Sequence, residues 1–386
     1  MAKPHVVVGL SGGVDSSVAA YLLTQHGYDV EGIYMRNWTD TEGLKSPDCP
    51  FDQDVDFAAM TARRLGIPFS VVDLSEEYRR QVVDYLFAEY AVGRTPNPDV
   101  LCNREIKFKA FWEVAKAKGA QFVATGHYCR KAETPEGEYR LLRGVDDTKD
   151  QSYFLCQVTQ DQLSHALFPV GEMTKKEVRR QALALRLPTA ERRDSYGICF
   201  VGEVNLPAFL AQKLKPKDGD IVEIPHDMVP PYRGESLVEQ ALAYPLAHEM
   251  GEVVGHHHGA QFFTIGQRKG LGVGGKAEPL FVVGVDTAKN IVYVAQGKHH
   301  PYLYRSVAYV PAAEVHWIRP SQQLNEGDSL RVMARLRHRQ PLQPATLYAR
   351  MEGIYLKFDT PQRGITAGQF AAWYNGDELL GAGAVN

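Results

Sequence analysis

The fold is decided by a stretch near the amino terminus, residues 5–26, which reads HVVVGLSGGVDSSVAAYLLTQH. Residues 5–10 form an apolar, valine-rich run that predicts a buried β-strand. Residues 16–26 have the apolar spacing of a helix, which ends at Gly27. Between the two, adjacent glycines let the backbone approach an anion closely, and the start of the helix directs free N–H groups and a positive dipole end towards it. The stretch therefore predicts a phosphate-binding loop between a strand and a helix.

Strand and helix patterns alternate through the following hundred residues. Further strands are predicted at 29–35, 68–73 and 121–125, and further helices at 54–65, 75–92 and 104–118. This alternation predicts βαβ units and an α/β fold with a doubly wound parallel sheet. Ligands of such sheets bind beyond the carboxyl ends of the strands, where the phosphate-binding loop also lies.

The composition of the sequence changes at about residue 201, where proline and glycine become frequent and long helical patterns become weaker. After residue 276, short β-type runs separated by turn signals predict a small antiparallel barrel. We predict a catalytic α/β domain over 1–200, a small central domain over 201–276 with an insertion near 225–255, and a C-terminal antiparallel β-barrel over 277–386.

Composition excludes several classes of protein. The 386 residues are 44% hydrophobic and 23% charged, as expected of a globular chain, and no apolar run approaches the ~20 residues that cross a bilayer. Five cysteines without a CxxC pair argue against a secreted disulfide scaffold or a zinc ribbon. We expect a cytoplasmic protein without a metal site, and we interpret the triplet His256–His258 as structural.

Net charge is −3, so composition gives no sign of nucleic-acid binding, although phosphate contacts need only a local basic face. Basic runs occur near 104–109, 175–180 and 192–193. Taken singly, each is more simply interpreted as a solvated helix face. The run at 264–270, TIGQRKG, can present basic side chains to RNA phosphates or form a solvated glycine-rich turn.

The chemistry of the first loop is set by GLSGGVDSS at residues 9–17. Ser11, Ser16 and Ser17 can donate hydroxyl hydrogen bonds to phosphate oxygens, and Asp15 can cap the helix or help place Mg²⁺. The loop matches neither GxxxxGK[ST] nor GxGxxG, because it has no Walker lysine and the wrong glycine spacing. The string SGGVDS instead resembles the PP-loop of the N-type ATP pyrophosphatases, which cut ATP between its α- and β-phosphates and leave AMP on an acceptor oxygen.

A second signal is GRTPNPDVLCNREIKF at residues 93–108, where two prolines hold a loop before a predicted helix. Cys102 then lies near the amino end of the helix, where the dipole and Arg104 or Lys107 favour its thiolate. Asp99 can transfer protons on a substrate base or cap the helix.

A third signal is DSYGICF at residues 194–200, which places Cys199 in a predicted loop and not on an apolar helical face. Cys129 and Cys156 are expected to pack in the core, as free cysteines usually do. For Cys49 no role is assigned.

Six strings in order carry a specific resemblance. They are GLSGGVDSS, GRTPNPDVLCNREIKF, ATGHY, KDQSYFL, DSYGICF and TIGQRKGLGVGG, which span residues 9–275. Together they resemble the bacterial tRNA-specific 2-thiouridylases, which modify the wobble uridine, and a weaker likeness that includes RHRQ at 337–340 continues to the end. The chain departs from this family between 224 and 256, where it carries more residues than expected.

The resemblance implies a role for each matched position. It implies that ATP, with Mg²⁺, is bound by Gly9, Leu10, Ser11, Gly12, Gly13, Val14, Asp15 and Ser16, and by Met35 and Gly126. It implies that the target base meets Asn97, Pro98 and Asp99, and that the rest of the tRNA contacts His127, Lys149, Asp150, Gln151, Arg337, His338 and Gln340. Cys199 would carry a persulfide, with Cys102 as its catalytic partner.

The implied reaction uses ATP to adenylate O2 of the uridine and a Cys199 persulfide to deliver sulfur to C2. The implied partners are tRNA and a persulfide-donating sulfur carrier protein, with no role for DNA or a membrane. Cys102 either frees sulfur from the persulfide or resolves the intermediate after direct attack, and the sequence leaves both orders open. Two other functions remain: an ammonia-using PP-loop ligase, and a tRNA-binding protein without catalysis.

Overall fold

The computed structural model describes residues 3–38, 50–193, 206–231 and 234–386. Eighteen strands occur in these residues, numbered in chain order as β1 His5–Gly9, β2 Asp29–Arg36, β3 Phe69–Asp73, β4 Phe122–Ala124, β5 Cys129–Glu133, β6 Tyr139–Arg143, β7 Ala166–Leu167, β8 Gly219–Glu223, β9 Glu252–His257, β10 Leu280–Asp286, β11 Ile291–Gln296, β12 Tyr304–Pro311, β13 His316–Trp317, β14 Ser329–Arg335, β15 Gln343–Arg350, β16 Gly353–Arg363, β17 Phe370–Asn375 and β18 Glu378–Ala384.

The α-helices of the same residues are α1 Val14–Gln25, α2 Pro50–Leu65, α3 Ser75–Tyr78, α4 Asp84–Ala91, α5 Pro98–Leu101, α6 Phe111–Ala117, α7 Gln160–His165, α8 Lys175–Ala184, α9 Leu206–Ala211 and α10 Leu237–Ala241. Wider π-helical turns at Arg79–Val83 and Cys102–Ala110 join α3 to α4 and α5 to α6. Two continuous helices therefore run over 75–91 and 98–117. None of the helices in the described ranges is long and apolar enough to cross a membrane.

The first sheet has the order β3-β2-β1-β4-β7, and all its pairs are parallel. Val6 on β1 lies opposite Val30 on one side and Phe122 on the other. The chain thus builds outward from β1 in one direction and then returns to its other side. This reversal places a crevice between the carboxyl ends of β1 and β4, where open α/β sheets bind ligands.

Both faces of this sheet are buried, which confirms the predicted doubly wound fold. Val6 and Val8 pack in one apolar cluster with residues of α1 and α2. Val7, which points to the opposite face, packs in a second cluster with residues of the two continuous helices. The valine-rich run is buried on both sides for this reason.

A four-stranded sheet of order β10-β11-β8-β9 forms the central domain. Strands β10 and β11 therefore pair with strands from 219–257, although the predicted boundary at 276 separates them. We propose instead that the boundary lies between β11 and β12. In the insertion, α10 begins after Ser236, whose hydroxyl caps the helix by accepting from the amide of Glu239.

The C-terminal sheet is antiparallel and follows the order β12-β16-β15-β14-β17-β18-β6-β5, with β13 also pairing with β18. Its last two strands come from the hairpin β5–β6 of the first domain, which joins through Leu141 opposite Leu379. The sequence did not predict this hairpin, because Arg130, Lys131 and Glu133 crowd β5 with charge and hide the alternation typical of strands.

Candidate functional site

The glycine-rich loop joins β1 to α1, as the sequence predicted. Gly13 is the residue before the helix, and Gly12 has φ +73°, a left-handed conformation that favours glycine. Ser16 Oγ donates to the carbonyl of Gly13 over 3.1 Å and accepts from the amide of Ser11 over 3.2 Å. These bonds hold the loop at the amino end of a twelve-residue helix, whose first N–H groups have no carbonyl partner within the helix.

Three strands bring their ends to this loop. A Cβ on Gly126, after β4, would lie 2.7 Å from the amide nitrogen of Ser16, and a Cβ on Gly9 would lie 2.9 Å from Cε of Met35 at the end of β2. The predicted nucleotide-binding residues of β1, β2 and β4 therefore meet at one edge of the sheet. Side chains larger than glycine would fill the crevice at Gly126.

Two basic residues contact this loop, although the basic runs that contain them were interpreted as solvated helix faces. Lys175 Nζ lies 2.7 Å from each carboxylate oxygen of Asp15, and Arg192 donates to the carbonyl oxygen of Gly12 over 2.7 Å. The solvated-face interpretation is wrong for both. The sequence shows that both residues belong to basic runs. It does not show which side chains of those runs point into the protein.

The segment with Asp99 and Cys102 forms the start of the second continuous helix. Asn97 precedes it and Pro98 occupies its first position, where the missing N–H costs nothing. The helix begins earlier than predicted, so Cys102 lies in its second turn and is fully buried. Arg104 pairs with Glu105 over 2.7 Å and donates to Gln157 over 3.1 Å, so its charge is already engaged beside the thiol.

His127 is buried behind the same helix. Lys107 Nζ lies 3.5 Å from its Nε2, and Thr125 Oγ1 lies 2.7 Å from its Nδ1. Because an ammonium group only donates, Nε2 is the acceptor and the ring proton lies on Nδ1. Burial, and then the charge of Lys107, lower the pKa of His127 well below its usual range, so the ring is neutral.

This pKa predicts a pH dependence of stability. The folded state excludes the proton that the unfolded histidine binds below pH ~6.5, so acidification removes roughly 1.4 kcal/mol of stability for each pH unit below that value. We expect His127→Gln, which cannot titrate, to lose less stability than the wild type between pH 7.5 and 5. Urea unfolding at several pH values measures both slopes, and parallel slopes would contradict the assignment.

The other predicted tRNA contacts surround a buried ion pair. Asp150 Oδ2 accepts from Arg335 over 2.7 Å, and its Oδ1 accepts from the amides of Gly144 and Ser152. Asp150 is 2% exposed and Arg335 is 5% exposed. The carboxylate of Asp150 is therefore engaged inside the protein, between the first domain and β14.

Of the neighbouring predicted contacts, His338 bonds to this pair, whereas Arg337 and Gln340 bond to other residues. His338 Nε2 lies 2.9 Å from the carbonyl oxygen of Asp150, and the ring lies 4.2 Å from that of Phe154. Arg337 donates to the carbonyl oxygens of Ile265 and Gly364, and Gln340 donates to Gln362. Lys149 is partly buried beside Asp150.

Tyr128 links the two halves of the site. Its hydroxyl donates to Asp15 in the phosphate loop over 2.6 Å. Its amide donates to the side chain of Gln151 over 3.0 Å, and its carbonyl accepts from the amide of Gln151 over 3.0 Å. Hydrogen bonds on both sides of Tyr128 thus connect the phosphate loop to the predicted RNA contact Gln151. The sequence did not single out Tyr128.

The cysteines divide into three groups. Cys129 and Cys156 are fully buried, which confirms that they pack in the core, and burial raises the pKa of both thiols. Cys102 is buried in the apolar cluster under the sheet. Cys199 and Cys49 lie outside the described residues.

The histidine triplet meets acidic residues of the central sheet. His256 Nδ1 lies 3.1 Å from Asp220, and His258 Nδ1 lies 2.6 Å from Asp218. His257 is buried, and its Nδ1 accepts from the amide of Gly259. Within the described ranges, no three His, Cys, Asp or Glu side chains are grouped so that they could hold a metal ion.

Three families match consecutive parts of the chain. Their descriptions are tRNA methyl transferase HUP domain for residues 4–203, tRNA methyl transferase PRC-barrel domain for 243–296 and Aminomethyltransferase beta-barrel domain for 308–385.

Three relatives are similar over almost their whole length, and each is named tRNA-specific 2-thiouridylase MnmA. The protein of Flavobacterium johnsoniae is 54% identical over 395 residues, covering 99% of this chain and 100% of its own. That of Christiangramia forsetii is 53% identical over 392 residues, covering 99% of each chain. That of Bacillus subtilis is 43% identical over 383 residues, covering 99% of this chain and 95% of its own.

Proposed function

Because the chain belongs to the tRNA-specific 2-thiouridylase family, we propose that it uses ATP to replace O2 of a tRNA wobble uridine with sulfur. The observation that carries this proposal is the meeting of the phosphate loop, Met35 and Gly126 at one edge of the sheet. Asp99 and Cys102 lie on one continuous helix of the same domain. These residues supply the two chemistries that the reaction needs, adenylation and sulfur transfer.

The first step activates a poor leaving group. O2 of the uracil attacks the α-phosphorus of ATP, the bond to the β-phosphate oxygen breaks, and pyrophosphate leaves with the bonding electrons. Asp99 takes the N3 proton as negative charge moves to O2. The loop amides and the dipole of α1 stabilise the phosphates, and Asp15 would supply a carboxylate oxygen to a magnesium ion that accompanies the nucleotide.

The second step moves sulfur. A persulfide on Cys199 delivers its outer sulfur to C2, and AMP leaves with the former O2. In one order, the persulfide attacks C2 and Cys102 then attacks Cys199 Sγ, releasing the thiocarbonyl. In the other, Cys102 first frees the outer sulfur as hydrosulfide, which attacks C2. Both orders end in a Cys102–Cys199 disulfide that an external thiol reduces by exchange.

Binding of the tRNA involves both ends of the chain. We propose that Asn97 and Pro98 position the target base, and that His127, Lys149–Gln151 and RHRQ at 337–340 contact or organise the surface around it. Since Asp150 and Gln340 bond inside the protein, their contribution is to hold this surface in shape. A carrier protein in the cytoplasm would supply the persulfide.

A sulfur-transfer assay tests the function. Unmodified tRNA with a wobble uridine is incubated with the enzyme, ATP, Mg²⁺ and a persulfide donor, and its nucleosides are analysed by mass spectrometry. We expect 2-thiouridine with the wild type and none with Cys199→Ser. AMP formation without a thiolated nucleoside would keep the adenylation and reject the sulfur transfer. The absence of both products would reject the proposal.

A further inference from the structure

The phosphate loop contains no basic residue of its own, although pyrophosphate carries about three negative charges as it leaves. Loops of the Walker type place a lysine there. We propose that Lys175 and Arg192, which come from more than 150 positions away in the chain, form the pyrophosphate-binding side of this loop. This inference rests on the proposed adenylation step and adds two residues to it.

Lys175 is positioned from both its backbone and its side chain. It is the first residue of α8, and Thr174 caps that helix together with Glu177. The amide of Lys175 donates to Asp146 over 2.9 Å, and its Nζ lies 2.7 Å from both oxygens of Asp15. Its side chain is 12% exposed. The ammonium group is therefore fixed beside the amino end of α1.

Arg192 is fixed on the other side of the loop. Its guanidinium donates to the carbonyl oxygen of Gly12 over 2.7 Å and pairs with Asp54 over 2.8 Å. It also lies 4.3 Å from the ring centre of Phe57, and Arg179 donates to its carbonyl oxygen. The bond to the Gly12 carbonyl oxygen holds this guanidinium against the phosphate loop itself.

Charge explains why these two cations matter for the chemical step. In the protein without nucleotide, the carboxylates of Asp15 and Asp54 neutralise Lys175 and Arg192. These ion pairs hold both cations near the loop without a net positive charge. As the α–β bond breaks, negative charge grows on the β-phosphate oxygens. Groups already aimed at that charge stabilise the transition state more than the ground state. Neither residue needs to transfer a proton.

Inhibition by the two products tests this assignment. We expect Lys175→Met and Arg192→Met to weaken inhibition by inorganic pyrophosphate at least tenfold and to leave inhibition by AMP within about twofold of the wild type. The rate of tRNA-dependent AMP formation should fall about a hundredfold. Lys175→Arg should recover part of this rate. Lys176→Met is the control, because Lys176 is the next residue of α8 and is exposed.

Each outcome has one meaning. Pyrophosphate inhibition of Lys175→Met and Arg192→Met equal to that of the wild type would overturn the assignment, and so would an equal loss of inhibition by AMP. If the wild type itself forms no AMP with tRNA, the proposed function fails instead. If a melting curve shows that Lys175→Met is unfolded, the inhibition constants for pyrophosphate and AMP are measured on Lys175→Gln instead. Glutamine retains a hydrogen-bond donor for Asp15.

Discussion

Cys102→Ser is expected to reduce 2-thiouridine formation below detection, a loss of at least a thousandfold, while ATP binding stays unchanged. Serine is a far weaker nucleophile towards sulfur than a thiolate, so neither order of sulfur transfer can finish. The fold should be retained, because serine has nearly the size of cysteine and its buried hydroxyl can bond a backbone carbonyl in the preceding turn of the helix. Nucleoside mass spectrometry gives the product, and equilibrium dialysis gives ATP affinity.

Cys129→Ala is the matched control for this experiment. Cys129 is also a fully buried free thiol, but it begins β5 and no step of the proposed mechanism uses it. We expect this variant to form 2-thiouridine at the rate of the wild type. Turnover by Cys102→Ser at more than a few per cent of that rate would remove Cys102 from the mechanism.

Arg335→Met is expected to destabilise the protein by about 3–5 kcal/mol, because the buried carboxylate of Asp150 loses its closest cation and keeps only Arg143 at 3.5 Å. Arg335 also donates to Ser152, to the hydroxyl of Tyr374 and to the carbonyl oxygen of His338, so four groups lose a hydrogen bond. Affinity for tRNA should fall with stability, since His338 and Gln151 are positioned around Asp150. Urea unfolding followed by tryptophan fluorescence measures the first effect, and filter binding measures the second.

Two variants make this prediction specific. Arg331→Met removes another arginine of β14, but that arginine pairs with Asp359 on the surface, and the unfolding curve should be unchanged. The double variant Asp150→Asn with Arg335→Met removes the buried carboxylate charge that the single variant leaves without its closest cation, and it should be more stable than Arg335→Met alone. A double variant that is no more stable than the single one would show that the charge of Asp150 is not the cause.

The parts of the fold that sequence predicted are those set by neighbouring residues. The first strand, the phosphate loop and the first helix follow from one continuous stretch, and each of the four predicted strands of the parallel sheet is present. Cys102 was also predicted to lie near a helix start from local signals, although the helix begins at Pro98 and not after the proline loop.

The parts that sequence missed depend on distant pairs. Lys175 meets Asp15 across 160 positions, and Arg335 meets Asp150 across 185. A run of basic residues looks the same in the sequence whether its side chains face solvent or pair with an acidic residue elsewhere in the fold. Lys176, the residue after Lys175, is exposed, as the interpretation of the run as a solvated helix face predicted. Only the three-dimensional packing distinguishes two such neighbours.

Deletion of the residues after 276 would not isolate RNA binding by a separate C-terminal domain. The deletion would remove β10 and β11 from the central sheet, β18 from its partner β6, and Arg335 from Asp150. We therefore expect the truncated chain to lose ATP binding as well as tRNA binding, and single substitutions are the better tools.

The shared hairpin also sets the timing of folding during synthesis. Arg140 on β6 and Glu378 on β18, which are joined by a 2.8 Å ion pair, are 238 residues apart. At ribosomal speeds of about 5–20 residues per second, the hairpin waits roughly ten to fifty seconds for its partner strand. Until then β6 offers an open edge on which a neighbouring nascent chain could pair. Arg140 and Arg143 place charge on β6, which discourages such pairing, and the fold closes only after β18 has been synthesised.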